Sequence, residues 1–84
     1  LPSSDIRYKI IQEDGRCEIS LKAGQLARDV FIEIPFQGAR FSDNFFDLLP
    51  GESKKVTITS PQIKQDGQLT LKIRHLKNII HINK

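Results

Sequence analysis

Apolar and polar residues alternate with a period of two along most of the 84 residues of this chain. Strands with one buried face have this period, whereas helices repeat about every 3.6 residues. The pattern predicts strands at residues 6–12, 16–22, 28–35, 53–59, 68–75 and 78–83. A further segment, 41–48, is expected to be irregular or a short strand. We therefore predict an all-β domain over residues 6–84, an antiparallel β-sandwich of about seven strands.

Glycine marks most of the predicted turns between these strands. Gly tolerates the positive φ that tight turns require, and Pro50 before Gly51 adds a preset φ to the strongest turn signal. The predicted turns lie at Asp14-Gly15, Gln37-Gly38, Pro50-Gly51, Asp66-Gly67 and Leu76-Lys77. Residues 25–27 are expected to form a loop or one helical turn.

The inward-facing residues of the strands form the predicted core. They are Ile6, Tyr8, Ile10, Cys17, Ile19, Leu21, Val30, Ile32, Ile34, Val56, Ile58, Leu69, Leu71, Ile73, Ile80 and Ile82. Cys17 is the only cysteine, so no intrachain disulfide can form. On the inward face of its strand it is predicted to behave as a small buried hydrophobe.

Three phenylalanines stand apart from this core pattern. Phe31 falls on the outward face of its strand. Adjacent residues of a strand point to opposite faces, so either Phe45 or Phe46 must also face away from the core, and the pattern does not decide which. Together these rings predict an apolar patch, which either meets another protein surface or lies under a loop.

The charge balance is mildly basic, with 13 basic and 10 acidic residues and a net charge of +3. Lys72, Arg74 and Lys77 could gather on one hairpin, but the aromatic residues lie elsewhere in the chain, so nucleic-acid binding is not expected. No apolar run approaches the ~20 residues of a membrane-spanning helix. Residues 1–5 lack the features of a signal peptide and are predicted to be a linker from a preceding domain.

Metal binding is not predicted. His75 and His81 are expected to be surface residues of a terminal hairpin rather than a ligand pair. Asp43, Asn44 and Asp47 form a small oxygen-rich cluster without the ligand number or spacing of a calcium site. We expect Asp43 and Asn44 to bond nearby backbone amides and shape the loop.

Catalytic chemistry is not predicted either. The chain has no G-x-S-x-G nucleophile turn and no glycine-rich phosphate loop. Glu18, Glu33 and Glu52 lie on different elements, with nothing to bring two carboxylates across a shared cleft. The sequence therefore predicts no catalytic residue, no cofactor and no metal site.

Three stretches nevertheless carry a resemblance to a known family. ARDVFIEIP, FSDNFFDLLPGE and KKVTITS resemble the C-terminal immunoglobulin-like domain of β-mannosidases of glycoside hydrolase family 2. The resemblance runs from about residue 27 to 60 and is strongest at residues 41–52. It implies an immunoglobulin-like sandwich.

In that family two glutamates on a preceding (β/α)₈ barrel carry out catalysis, and no residue of this chain matches their motifs. The resemblance thus implies a non-catalytic accessory domain of an exo-glycosidase that hydrolyses terminal β-D-mannose residues. Its expected partners are the other domains of the parent enzyme, with Phe31, Phe45 and Phe46 as candidate contacts. A periplasmic or extracellular location is suggested by the resemblance alone.

Two other functions remain open at this stage. One is a carbohydrate-binding module of the same enzyme, and the other is a free-standing protein-interaction domain. If Phe31 contacts a neighbouring domain, Phe31→Ala should weaken docking to the parent enzyme more than it lowers the melting temperature of the fragment.

Overall fold

A computed structural model describes residues 6–75 and 78–83 of the chain. Within these residues the chain forms eight strands and no helix: β1 Ile6–Glu13, β2 Arg16–Ala23, β3 Ala27–Glu33, β4 Arg40–Phe41, β5 Phe46–Leu48, β6 Ser53–Thr59, β7 Thr70–His75 and β8 Asn78–Asn83. The predicted linker 1–5 and the predicted Leu76-Lys77 connection lie outside the described residues.

The strands form two four-stranded antiparallel sheets. The first sheet has the order β1-β2-β6-β4 and the second the order β5-β3-β7-β8. This is the arrangement of an immunoglobulin-like sandwich. Of the consecutive strands, β1 with β2 and β7 with β8 pair within one sheet, and all the others lie in different sheets. The predicted fold class is confirmed, because each strand with one apolar face buries that face against the opposite sheet.

The segment expected to be irregular or a short strand becomes two short strands in different sheets. Its first residue, Phe41, forms β4 together with Arg40, and β4 pairs with the end of β6 in the first sheet. Its last residues form β5, which pairs with β3 in the second sheet. This one stretch of chain thus supplies an edge strand to each sheet, β4 to the first and β5 to the second. Residues 42–45, which pass between β4 and β5, are called the crossing segment below.

The core lies between the two sheets and contains most of the predicted residues. Cys17, Ile19, Val30, Val56, Ile58 and Ile73 are completely buried. Full burial of one such aliphatic side chain stabilises the fold by about 1.5–3 kcal/mol. Four further buried apolar residues were not among the predicted inward set: Ala23, Ala27, Leu48 and Ile63.

Some predicted positions differ from the structure at the margins of the sheets. Tyr8 pairs with the buried Leu21 on the inward face but remains 45% exposed, because β1 is the edge strand of its sheet. Strand β3 ends at Glu33 rather than at Pro35, which cannot donate to a ladder. Strand β7 begins at Thr70 rather than at residue 68, although Leu69 is buried.

Candidate functional site

Ser42 begins the crossing segment and keeps it attached to the first sheet. The Ser42 N–H donates to the carbonyl of Thr57 at 2.8 Å. In return, the Thr57 N–H donates to the Ser42 Oγ at 2.9 Å. The hydroxyl takes the place of a backbone acceptor, so the ladder of β6 continues for one more position after β4 ends.

Asn44 attaches the crossing segment to the second sheet. Its Oδ1 accepts the Ile32 N–H at 2.8 Å, and its Nδ2 donates to the Ile32 carbonyl at 3.2 Å. A carboxamide has one acceptor and one donor in the arrangement of a peptide group, so it can act as a strand neighbour of β3. Oδ1 also accepts the Phe45 N–H at 3.2 Å. The prediction that Asn44 shapes this loop is confirmed.

Asp43 also stabilises the crossing segment, through bonds of its carboxylate. Its carboxylate accepts the Asn44 N–H at 2.8 Å and forms an ion pair with Lys54 at 2.5 Å. The Lys54 hydrogen bond, followed by the Asn44 amide, holds the pKa of Asp43 below its ordinary value of 3.8. The Lys54 ammonium lies 5.2 Å from the centre of the Phe46 ring, in the range of a cation–π contact.

Asp47 is the third member of the oxygen-rich cluster, and its carboxylate accepts a backbone N–H at a bulge in β3. The register of β3 against β5 shifts between Ala27 and Val30, and Asp29 has a φ of 55° there. The Asp29 N–H donates to the Asp47 Oδ1 at 3.0 Å. The carboxylates and carboxamide of this cluster are therefore used for backbone hydrogen bonds. Among residues 6–75 and 78–83, no group of three or more His, Cys, Asp or Glu could hold a metal ion.

The Leu-Pro-Gly-Glu turn after β5 is also a structural element. The Glu52 N–H donates to the Leu49 carbonyl at 2.9 Å, and the Leu49 N–H donates to the Glu52 Oε1 at 3.0 Å. Gly51, with a φ of 80°, donates its N–H to the carbonyl of Ala23 at 2.8 Å. The motif that carries the family resemblance thus closes one end of the sandwich.

Phe31 and Phe45 come together on the outer side of the second sheet. Their rings stack with 4.8 Å between centroids and an interplanar angle of 22°. Phe45 is 72% exposed, whereas Phe46 is half-buried and packs against the core. The open choice between the two adjacent phenylalanines is settled: Phe45 faces outward. We call Phe31 and Phe45 the aromatic surface.

The backbone of Phe45 is strained. Its φ of 60° lies in the left-handed region, where a bulky side chain is rarely found. This conformation costs roughly 1–2 kcal/mol for an L-residue other than Gly or Asn. The hydrogen bond from Phe45 to Asn44 keeps the residue there. The chain therefore holds an exposed aromatic ring in one orientation at a cost in stability. Such strain is found at binding and switch regions.

The aromatic surface continues across the second sheet as a mixed row. Cross-strand pairing places Phe31 beside Arg74, and Arg74 beside Ile79. Arg74 forms an ion pair with Glu33, which neutralises its charge. Ile79 is 39% exposed. The guanidinium of Arg74 on this row is therefore already paired. Lys77, the third basic residue predicted on this hairpin, lies outside the described residues.

The two histidines do not meet. His75 pairs with Asn78, whereas His81 pairs with Lys72, so the two side chains point to opposite faces of the hairpin. The expectation that both are surface residues is wrong for His75, because it is only 8% exposed at the inward end of β7. Burial lowers the pKa of His75. His81 is exposed.

The other candidates for chemistry, Cys17 and the three glutamates, take part in core packing, ion pairs or a turn. Cys17 is completely buried, as predicted, and burial raises the pKa of its thiol. Glu18 forms ion pairs with Arg16 at 3.6 Å and Lys55 at 3.8 Å. Glu33 pairs with Arg74, and Glu52 belongs to the turn, so these three carboxylates form no common site. In the part of the chain that the structure describes, there is no helix long and apolar enough to cross a membrane.

The strained Phe45 could not be recognised from the sequence pattern. Alternation required one of two adjacent phenylalanines to face outward, but Phe is not a residue that signals a positive φ. The signal that could have pointed to it is Asn44, whose carboxamide favours local backbone hydrogen bonds and sharp changes of direction.

Comparison with known proteins gives one match of high coverage. The family model of the mannosidase Ig domain, described as an Ig-fold domain, matches residues 1–79 of the 84-residue chain. No curated protein matches the chain.

Proposed function

Since this chain belongs to the mannosidase Ig-domain family, we propose that it is the accessory β-sandwich of a β-mannosidase-like glycoside hydrolase. In this proposal the parent enzyme removes terminal β-D-mannose residues with a catalytic domain outside these residues. The sandwich itself is non-catalytic. It docks on a neighbouring domain of the parent through the aromatic surface, Phe31 and Phe45.

The observation that carries this proposal is an exposed aromatic ring held at an energetic cost. Phe45 is 72% exposed and has a φ of 60°. Aromatic side chains are enriched at protein interfaces, where they bury a large area with little loss of rotamer freedom. Docking would bury the Phe45 ring, and the apolar area buried would offset the cost of its backbone conformation. A domain that worked alone would gain more from a residue suited to this backbone.

The neighbours of the two rings also suit a protein partner. The mixed row runs from Phe31 through Arg74, which is paired with Glu33, to Ile79. Aromatic residues and arginine are both enriched at protein interfaces, and interfaces between domains are more polar than obligate ones. Phe46 contributes indirectly, because its ring packs on the core and helps to hold the crossing segment in place.

Carbohydrate binding is the second candidate, and one observation favours it. Asp29 lies two positions from Phe31 and Asp47 two positions from Phe45, and both carboxylates are exposed. Ligand sites commonly combine aromatic side chains with a few polar groups. One face of Phe31 is already covered by Phe45, however, so the two rings do not form a flat platform. We therefore favour docking over sugar binding.

The test separates docking from stability with two variants and a control. Phe45→Asn replaces the ring with a residue that tolerates positive φ, so relief of strain offsets the loss of ring stacking, which is worth about 0.5–1.5 kcal/mol. Phe31→Ala removes the other ring. Ile11→Ala serves as the matched control, because Ile11 is 54% exposed but lies on the other sheet.

The affinity of each purified domain for the rest of the parent enzyme is measured by calorimetry, and its melting temperature by circular dichroism. We expect Phe45→Asn and Phe31→Ala each to weaken docking about thirtyfold, which corresponds to the ~2 kcal/mol loss of an interface hot spot. Phe45→Asn should keep a melting temperature within a few degrees of the unchanged domain. Unchanged docking by both variants would contradict the proposal.

Amide chemical shifts during titration with manno-oligosaccharides test the second candidate. Saturable shifts confined to residues around Phe31 and Phe45 would favour a carbohydrate-binding module instead. Absence of such shifts, together with lost docking in Phe45→Asn, would support an architectural role.

A further inference from the structure

The outer face of the first sheet, on the other side of the molecule, has a concentrated positive charge. Strand pairing places six basic and two acidic side chains on this face, a net charge of +4, whereas the whole chain has +3. They are Arg7, Lys9, Arg16, Lys22, Arg40 and Lys55, with Glu13 and Glu18. The rest of the sequence is therefore slightly acidic.

This charge is unevenly distributed along the strands. Both carboxylates lie near the β1–β2 turn, where Arg16 pairs with Glu13 at 3.7 Å and with Glu18 at 3.6 Å. The other half of the face consists of two cross-strand rows. One row is Lys9, Ser20 and Lys55, and the other is Arg7, Lys22 and Ser53. Neither row contains a carboxylate. We call Arg7, Lys9, Lys22 and Lys55 the basic surface.

Like charges stand directly opposite each other within the basic surface. Arg7 is the cross-strand partner of Lys22, an arrangement that places the two Cβ atoms about 5 Å apart and destabilises a sheet unless a counter-charge is present. Among the described residues, no carboxylate forms an ion pair with Arg7, Lys9 or Lys22. Only Lys55 has one, at 3.8 Å from Glu18.

A groove opens beside the opposed pair. It has a volume of about 310 Å³ and is lined by Arg7, Lys22, Ala23, Gly24 and Gly51. Two of these residues are glycines, so little side-chain bulk obstructs the approach of a ligand. An anionic group in this groove would lie between two cations and relieve their mutual repulsion.

We propose that the basic surface binds a polyanionic saccharide, a sugar polymer that bears carboxylate groups. The four cations would pair with successive carboxylates, and the hydroxyls of Ser20 and Ser53 would bond sugar oxygens. A protein partner fits less well, because the two rows contain no large apolar side chain and lysine is depleted at protein interfaces. Single-stranded nucleic acid fits less well because the rows offer no aromatic ring for stacking.

This inference is independent of the docking proposed above. The aromatic surface lies on the outer face of the second sheet, so both surfaces can be occupied at once. If the aromatic surface docks on a catalytic domain, the basic surface faces away from it, toward solvent and polymeric ligands. Loss of one activity leaves the other intact, and variants of the two surfaces therefore test different proposals.

The experiment measures binding of oligogalacturonate to the chain by calorimetry at low and at physiological ionic strength. Fully methyl-esterified oligogalacturonate, which has no carboxylate charge, is the neutral comparison. We expect binding of the charged oligomer, which weakens with added salt, and no binding of the ester. Arg7→Ser combined with Lys22→Ser should weaken binding about tenfold, since the two substitutions remove the opposed cations that line the groove.

Arg16→Ser is the matched control, because Arg16 lies on the same face but is already paired with two carboxylates. It should weaken binding less than either Arg7→Ser or Lys22→Ser alone. Equal losses in all three variants would mean that only the overall charge matters, which overturns a localised site. Melting temperatures confirm that each variant folds.

Amide shifts of the unchanged chain provide a second measurement that requires no substitution. We expect shifts induced by oligogalacturonate to centre on Arg7, Lys22 and Gly24. Shifts spread evenly over the molecule would overturn the proposal. So would equal or tighter binding of a DNA duplex at the same salt concentration, since that would assign the surface to nucleic acid.

Discussion

Two connections between the sheets are held by different means. The crossing segment is fixed by polar side chains that replace backbone partners, above all Asn44 on Ile32 and Ser42 on Thr57. Residues 60–69, which lead from β6 to β7, are called the second connection. It is fixed by buried apolar side chains, with Ile63 and Leu69 each 1% exposed.

Backbone hydrogen bonds add to the second connection at the β1–β2 turn. The Gly15 N–H donates to the Ile63 carbonyl at 2.7 Å, and the Ser60 N–H donates to the Gly15 carbonyl at 3.0 Å. The Gln12 Nε2 also donates to the Lys64 and Gly67 carbonyls at 2.6 and 2.8 Å. The second connection is therefore part of the core, whereas the crossing segment lies at the edge of the sandwich and carries the exposed Phe45.

The difference indicates where stability and function reside. Apolar burial gives the larger free energy and tolerates little change in shape. Polar bonding to strand edges gives less free energy but positions the backbone closely enough to hold Phe45 in an unfavourable conformation. We expect substitutions in the second connection to unfold the domain and substitutions in the crossing segment to disturb the aromatic surface first.

Ile63→Ala should have the largest effect on stability. The side chain is 1% exposed in the core, and removal of a buried isoleucine to alanine costs about 2–5 kcal/mol. Urea denaturation gives the change in the free energy of unfolding. Gln62→Ala, at an exposed neighbouring position, is the control and should change it by less than about 0.5 kcal/mol. A small loss for Ile63→Ala would mean that the second connection is not part of the core.

Asn44→Ala should have a smaller effect on stability but a larger effect on the aromatic surface. It leaves the N–H and carbonyl of Ile32 without the carboxamide, at a cost of about 2 kcal/mol. It also releases Phe45, whose N–H is bonded to Asn44. In methyl and aromatic NMR spectra, we expect the ring-current shifts between Phe31 and Phe45 to be reduced.

Asn44→Asp is the matched control for that substitution. Aspartate keeps the oxygen that accepts the Ile32 N–H but cannot donate to the Ile32 carbonyl at neutral pH. Its loss of stability should therefore fall between those of the unchanged chain and Asn44→Ala. If Asn44→Asp lost as much as Asn44→Ala, the carboxamide would not be acting as a two-sided strand neighbour.

The two connections also differ in how far the sequence predicts them. Alternation located the six long strands, and the outward position of Phe31 followed from it. Residues 41–48 were recognisable as irregular or a short strand because aromatic and polar residues break the period there. The split into β4 and β5 depends on the side chains of Ser42 and Asn44 bonding to other strands.

Ile63 was missed because it stands alone among polar residues, without a period to which it could belong. Its burial results from the docking of the second connection on the β1–β2 turn, a contact between residues about fifty positions apart. The basic surface was missed for a similar reason. Arg7, Lys22 and Lys55 become neighbours only when β1, β2 and β6 pair side by side.

Acidification should weaken the crossing segment through Asp43 and leave the buried side chains of the second connection, Ile63 and Leu69, in place. This is the smallest of the expected effects. The pKa of Asp43 is lowered in the folded chain, first by Lys54 and then by the Asn44 amide. Its contribution to stability is therefore complete above the ordinary value of 3.8 and is lost as the pH falls through the lower folded value. Asp43→Asn should remove this part of the acid sensitivity.

The most direct measurement is an NMR titration of the Asp43 carboxyl in the unchanged chain and in Lys54→Gln. The substitution removes the main cause of the shift, so the pKa of Asp43 should rise toward 3.8 while remaining slightly lowered by the Asn44 amide. Amide signals of residues 42–45 should follow the same titration, and those of the buried Ile63 and Leu69 should not. If both groups of amides moved together at this pH, the two connections would form one cooperative unit, and the distinction between a polar and an apolar passage would fail.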